Sequence, residues 1–444
     1  MKDILTISLP KLTEADPRIS AEGSIDPLGM YAIADALAVR LIPGVRERQK
    51  HPRFLTTMAV SLSLCSEMDE DLIASDGVSE PQQVFEWHVV EGLVRTSEKE
   101  KLRGVPGQDK AATAIKDRVP ISAKRYLKTP SVFGFHGVYR ALSRDLEIER
   151  ADRLGEIGYE LLSVWEKEQG LIGFSGTQNG PGKSKRSRLL DAIHDGLADG
   201  AVARSPGWAM WKFFSQHLGI YDSTRREGKV IGQALMNPTS GDRRELLNFV
   251  ISEKGKELWH EQVQSKDASE RVFHKAVRSI ADSNLGELLD AISIYERFCR
   301  YLQDAFDDCL FHMSQYQQKI QPLELSRLES VKLAAKEVPE IFSEITERLT
   351  PFGQLVRFQD HFSSLAERTT ALNWLERLMQ HHTTIQRQKP PAGKAPWYDQ
   401  FDDGSLMIRT GYVRNKGGRH DDHYVHAYRT GSLWSFVCDL GLVK

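Results

Sequence analysis

Hydrophobic residues along this chain recur mostly at three- and four-residue spacing, the period of a helix face. Asp26-Pro27 opens the first such run: Asp26 suits a helix cap and Pro27 the first helical position. Met30, Ile33, Ala34, Leu37 and Leu41 follow, and Pro43-Gly44 stops the run. Phe54, Met58, Leu62 and Cys65 predict a second helix, entered through a basic connection that holds Arg46, Arg48, Lys50, His51 and Arg53. Residues 1–10 alternate apolar and polar and fit a short strand or an ordered arm. Residues 97–118 are rich in charge, Gly and Pro and read as an exposed loop or weak helix.

Phe135, Val138, Leu142 and Leu146 mark a helix over 135–146, and Arg150 to Arg153 a charged turn. Leu154, Ile157, Leu161 and Trp165 mark the next helix, ended by Gly170. This order resembles the recognition helix, wing and following helix of winged-helix domains. A similar phrase follows. Leu190, Ile193 and Leu197 mark a helix stopped at Gly200, and Trp211, Phe214 and Leu218 mark another within 207–218. Residues 223–229, basic and glycine-containing, then predict a second wing that carries Arg225, Arg226 and Lys229. A related aromatic phrase, Leu433 to Leu442, closes the chain. The phrases differ too much for a solenoid repeat and predict separate helix-turn-helix units.

From about residue 268 to 383 the pattern is that of long helices. Leu285, Leu288, Ile292, Tyr295, Cys299, Leu302, Phe306, Leu310 and Met313 alternate by three and four, close to a heptad seam. Such a length predicts an antiparallel bundle or a coiled-coil arm. Pro322 and Pro339 punctuate further helices, and Leu355, Phe358, Phe362, Leu365, Leu372, Leu375 and Met379 line another long one. Residues 389–396 read as a linker. Beyond it, 406–413 predicts a strand and 424–428 its partner. Arg414, Lys416 and Arg419 lie in the basic turn between them.

The chain has 444 residues, which suggests roughly three domains or sub-domains. The patterns divide it into a helical segment 1–120, winged-helix-like units 121–265, a long-helix bundle 266–388 and a small α+β unit 397–444. Lys and Arg number 59 against 61 Asp and Glu, which excludes a uniformly basic or acidic protein but leaves room for local basic patches. No apolar run is long enough for a membrane helix, and the N-terminus lacks the continuous apolar stretch of a secretory signal. Cys65, Cys299, Cys309 and Cys438 form no Cys-x-x-Cys pair. Scattered in this way they read as reduced residues of a cytoplasmic protein, not as a zinc ribbon.

Three constellations invite a chemical reading. Thr177-Gln178-Asn179-Gly180-Pro181-Gly182-Lys183-Ser184 approaches a P-loop, but the first required glycine is replaced by Thr177 and no buried strand precedes it. The segment reads better as a glycine-rich linker before a helix near 187, with Lys183, Lys185, Arg186 and Arg188 available for phosphate-backbone contact. His420, Asp421, Asp422, His423 and His426 have the composition of a divalent-metal site, yet a polar hairpin loop looks the same. Asp304, Asp308 and His312 share one helix face without the repeated Glu-x-x-His of carboxylate bundles, and read as a solvated face. His381-His382 reads as a charge-compatible helix end. No catalytic residue, cofactor or metal ligand is assigned.

Asp26-Pro27-Leu28-Gly29-Met30 through Leu41-Ile42-Pro43-Gly44, with Arg53-Phe54-Leu55, resembles the opening of uncharacterised bacterial proteins encoded near phage-defence and restriction genes. Residues 389–394 through Trp397, with Tyr424 to Arg429, resemble their C-terminal part. The resemblance implies a genomic context and no catalytic residues. The sequence as a whole predicts a mainly α, multi-domain protein with winged-helix-like units, a long bundle or coiled-coil arm and a small α+β C-terminal unit. The expected role is a non-enzymatic DNA-associated or scaffolding subunit of a bacterial multi-protein anti-phage system. Its partners would be proteins of the same gene cluster and duplex DNA, with no membrane. The alternatives are a metal-dependent nuclease built on the C-terminal His/Asp cluster and a pure protein-interaction scaffold.

Overall fold

The structure, a computed structural model of the chain, describes residues 26–443 apart from 70, 177, 222–224, 238–241, 265–269, 317 and 391–392. The strand or arm expected at residues 1–10 lies outside the described residues. Among the described residues the fold is mainly helical, 63% helix and 3% strand. The first half holds α1 (Tyr31–Leu41), α2 (Arg53–Cys65), α3 (Pro81–Thr96), α4 (Gln108–Lys116), α5 (Pro130–Phe133), α6 (Phe135–Asp145), α7 (Glu156–Glu168), α8 (Pro181–Asp199) and α9 (Trp211–Leu218). The second holds α10 (Arg225–Leu235), α11 (Asp242–Ile251), α12 (Glu253–Gln264), α13 (Glu270–Arg278), α14 (Ser283–Tyr316), α15 (Pro322–Leu325), α16 (Glu329–Leu349), α17 (Leu355–Phe362), α18 (Ala371–Gln388) and α19 (Thr430–Asp439). Two antiparallel pairs complete it, β1 (Glu149–Arg150) with β2 (Arg153–Leu154) and β3 (Tyr398–Gln400) with β4 (Leu406–Ile408). The chain forms two compact units, a larger one of residues 36–289 and 427–444 and a smaller one of 1–35 and 290–426. Among the described residues no helix is long and apolar enough to cross a membrane.

In the larger unit α2 is buried from Arg53 to Leu64. Its sequence interleaves Phe54, Leu55, Met58 and Leu62 with small Ala, Ser and Thr side chains, so it offers no polar face and takes a central place. α3, α6, α7 and α9 pack around it. Phe54 meets the rings of Phe135 and Tyr139, each at a centroid distance of 5.2 Å.

In the smaller unit the expected seam positions of α14 from Ile292 to Met313 are buried, but so are Ala291, Ile294, Phe298, Ala305 and Cys309 beside them. An apolar surface that wide belongs to the middle of a bundle and not to the narrow seam of a coiled-coil arm. α17 supplies Phe358 and Phe362, both 5.1 Å from the Phe298 ring, and α18 supplies His382, 4.6 Å from Phe306. Leu302→Ala is accordingly expected to cost about 2–5 kcal/mol by urea unfolding. A loss below about 1 kcal/mol would mean that Leu302 is not packed as described.

Several sequence expectations shift. Asp26 does cap α1, accepting the N–H groups of Met30 and Tyr31 at 2.9 Å. The helix starts only at Tyr31, because Gly29 takes a left-handed φ of 72°, outside the helical region. The long helix expected over 355–379 divides into α17 and α18, the latter capped by Thr370. Pro339 lies inside α16. The strand at 406–413 is only Leu406–Ile408 and pairs with Tyr398–Gln400. Residues 424–428 form no strand: the N–H groups of Val425 and His426 go to the Glu296 carboxylate, and that of Tyr428 to Glu270.

His381 and His382 are not a solvated helix end. His381 Nε2 meets the Leu28 carbonyl at 2.8 Å. His382 Nδ1 donates to the Pro27 carbonyl at 2.9 Å and its Nε2 accepts the Trp397 N–H at 3.1 Å. Burial, above all, pushes the His382 pKa down from 6.5 to about 3. An unfolded chain protonates this ring below about pH 6.5, whereas the fold keeps it neutral to about 3. Its contribution to stability is therefore whole above about pH 6.5 and is lost as the pH falls toward 3. His382→Gln is expected to flatten the decline of the urea midpoint over that window, and an unchanged decline would remove His382 as a source of it.

Candidate nucleic-acid interface

The glycine-rich segment before α8 is a tight loop. α8 starts at Pro181, six residues before the expected position, so Gly182, Lys183 and Ser184 form its first turn. The N–H of Gly182 donates to the Ile172 carbonyl at 2.9 Å and that of Lys183 to Gly180 at 3.2 Å. Donors spent on the chain's own carbonyls cannot cradle a nucleotide's phosphates. Thr177 itself lies outside the described residues. Lys183 and Arg188 are exposed and Lys185 is half-buried.

Arg186 differs from these three. It is buried, with Nε and Nη2 on Glu67 at 2.9 and 2.6 Å, Nη1 on Ser63 Oγ and the Phe174 carbonyl, and Nη2 also on the Ser63 carbonyl. It is a tether for the loop and not a phosphate contact, which corrects its sequence assignment. Arg186→Ala strands buried acceptors and is expected to cost about 2–4 kcal/mol in chemical unfolding, against less than about 0.5 for Lys183→Ala. Equal effects would contradict the separation.

The second expected wing is a helix. Arg225, Arg226 and Lys229 lie on α10, exposed, while Glu227, Val230, Ile231 and Leu235 turn inward. Residues 223 and 224 are outside the described set. Gly228, which suggested a turn, instead permits close packing: a Cβ there would lie 2.9 Å from the Leu440 carbonyl oxygen. Glu227 anchors α10 on α2 through Arg53 Nη1 at 2.9 Å and the Thr56 hydroxyl at 2.9 Å.

The start of α8 and the start of α10 border the same place. His217, at the end of α9, bonds Gln169 at 3.0 Å, and the neighbouring Glu168 at the end of α7 lies 3.8 Å from Arg226. Burial chiefly, then the nearby charges of Lys185 and Arg53, lower the His217 pKa. Lys185 and Arg226, 41 positions apart in sequence, thus lie near the adjoining ends of α9 and α7 in the larger unit, with Glu168 beside Arg226.

The charged turn expected at 150–153 is a short hairpin. β1 and β2 pair through Glu149–Leu154 and Arg150–Arg153, and the turn residues Ala151 and Asp152 have φ of 49° and 60°. Arg140 and Arg144 of α6 are tied to Glu149 at 3.0 and 2.9 Å and also bond Asp152. The hairpin therefore occupies the cations that α6 would need to read a groove. The other expected recognition helix, 207–218, is α9 from Trp211 only, and Trp211, Phe213, Phe214 and Leu218 are buried in the core.

In the smaller unit, two clusters that the sequence kept apart satisfy each other. Asp304 accepts the N–H groups of Arg419 at 3.0 Å and His420 at 3.2 Å, and Asp308 accepts that of Gly418 at 2.7 Å. His420 Nε2 is 2.8 Å from Asp308. The acid face of α14 is thus an anchor for the segment after β4, which replaces the solvated face expected there. Arg414 lies 3.9 Å from Asp307 and over the Trp397 ring, Arg419 pairs with Asp421, and Lys416 is exposed. His423 faces Asp421 and His426 faces Glu296, so the histidines do not converge on one ion.

One constellation had no sequence signal. His136 Nε2 is 2.8 Å from Ser61 Oγ and its Nδ1 2.9 Å from Glu86, which also accepts the Tyr126 hydroxyl. The order is that of a Ser-His-acid triad. Yet Ser61 is 0% exposed in the middle of α2, where backbone N–H groups are spent within the helix. The Ser61 hydroxyl is therefore closed to a substrate, and the chain of bonds serves to lock α2, α3 and α6 together. Its partners come from three helices up to 75 positions apart, beyond any motif.

Comparison with protein-family models, with curated proteins and with solved structures finds no match for this chain.

Proposed function

We propose that this protein is a non-enzymatic helical subunit that holds duplex DNA by its phosphates, through the rim formed by the starts of α8 and α10. One observation carries the reading: Lys185 lies near His217 at the end of α9 and Arg226 near Glu168 at the end of α7, with Lys183 and Arg225 exposed on the same two helices. Exposed arginine and lysine bind the backbone charge without reading bases. The α6–β1–β2–α7 segment is a winged-helix-like unit in this view, with its hairpin closed on its own helix. The resemblance noted above supplies the setting, a cytoplasmic multi-protein bacterial system of anti-phage type built from several such domains.

A pure protein-interaction scaffold is the second reading, favoured by the internal pairing of Arg140 and Arg144. The nuclease reading loses its support, because His420, His423 and His426 each pair with a different carboxylate. The discriminating experiment is fluorescence anisotropy of labelled duplexes of unrelated sequence, titrated with the protein at low salt. Binding with similar affinity for each duplex and a steep loss with added salt fits the phosphate reading. No binding to any duplex at low salt would leave the scaffold.

A further inference from the structure

Beyond the DNA-contact reading, and independent of it, we propose that Glu296, Cys299 and His426 in the smaller unit form a site for one zinc-type divalent metal ion. Glu296 and Cys299 stand three residues apart on one face of α14, and the segment that follows β4 brings His426 onto that face. One donor atom from each residue lies within 4.8 Å of the other two. The Glu296 and Cys299 side chains are buried, and that of His426 is 10% exposed.

The donor set selects the ion. Oxygen, nitrogen and sulfur together suit zinc or cobalt, whereas magnesium and calcium require oxygen cages. Tetrahedral bonds of about 2.0–2.3 Å place donor atoms roughly 3.3–3.7 Å apart, so the side chains need move only by about an ångström. The 2.7 Å contact between His426 Nδ1 and Glu296 Oε1 opens as the ion enters between them, the Nδ1 proton passing to solvent while the neutral ring takes its proton on Nε2. The Cys299 thiol loses its proton to solvent as the metal–sulfur bond forms, and no electron is transferred. One carboxylate and one thiolate then neutralise the dication, the charge balance that a buried site requires. Three protein donors leave the fourth position to solvent or a ligand atom.

A purely structural role accounts for only part of the arrangement. Glu296 clamps the C-terminal segment through the N–H groups of Val425 and His426 at 2.5 and 3.2 Å. That clamp uses Glu296 and His426, whereas the Cys299 thiol bonds Tyr295 and stands outside it. The cysteine is therefore the residue that separates the two explanations.

The test is titration of the full chain with cobalt(II), read by thiolate-to-cobalt charge-transfer absorption, together with the melting shift caused by zinc. The expected result is one cobalt per chain with the thiolate band. Cys299→Ala should lose both the band and the zinc-induced shift while melting as the parent does without metal. Cys438→Ala, at the exposed thiol, should keep both. If Cys299→Ala does not fold, Cys299→Ser serves, with affinity lowered by more than about tenfold. Absence of a thiolate band in the parent, or a band lost in Cys438→Ala and kept in Cys299→Ala, would overturn the site.

Discussion

Glu227→Ala is expected to lower the stability of the larger unit by about 3–5 kcal/mol, a large part of the roughly 5–15 kcal/mol that holds a domain folded. Arg53 and Glu227 are both 0% exposed by side chain, with Nη1 and Oε2 2.9 Å apart. Arg53 Nη2 also donates to the His217 carbonyl at 2.6 Å, and Thr56 donates to the other oxygen of Glu227. Removing the carboxylate leaves a guanidinium in a dry core with no opposite charge. Removing both charges, as in Arg53→Met with Glu227→Leu, restores volume without an orphan and should recover most of the loss. Urea unfolding of the two single variants and the double variant measures the coupling. Single variants within about 1 kcal/mol of the parent, or a double variant as unstable as the sum of the singles, would show that the pair is not the lock between α2 and α10.

The second large effect is on DNA. Replacing Lys183, Lys185, Arg225, Arg226 and Lys229 with Ala should abolish measurable duplex binding at moderate salt. Each phosphate contact contributes about 0.9 to the slope of log affinity against log salt, so the slope should flatten by up to about 4.5. The loss should be similar on every sequence, since contacts to phosphates carry no base information. Replacing Arg414, Lys416 and Arg419 instead should change binding far less, because Arg414 and Arg419 already face Asp307 and Asp421. All five substitutions lie at exposed or half-buried positions, so the variant should melt close to the parent. Unaltered binding in the fivefold variant, or equal loss in the threefold one, would move the interface elsewhere.

Much of the helical content was legible because burial has a local period. The runs through Phe54, Phe135, Leu154 and Leu285 each became a helix near the expected place, and Asp26 caps as its side chain suggests. The charged turn at 150–153 became a hairpin because Ala151 and Asp152 adopt positive φ. Glycine misled where its reason was tertiary. Gly228 was read as a turn, yet its missing side chain is what lets the chain near Leu440 approach α10. Basic residues misled in the same way, since a guanidinium's type says nothing of where it ends up. Arg186 and Arg188 are two positions apart on α8, and the first is buried on Glu67 while the second faces solvent.

The sequence by itself therefore determined that the chain is mainly helical, roughly where several of the helices run, and which residues carry charge. Those properties follow from neighbours within one or two turns. Which charges remain available, and which histidines, carboxylates and thiols meet, only the tertiary structure decided. Ser61 with His136, Arg53 with Glu227, Asp304 with Arg419 and Cys299 with His426 are each brought together by packing of segments far apart in the chain. Hydrogen bonds and ion pairs act over about 3 Å, and sequence spacing carries no record of such distances once the partners lie on different elements.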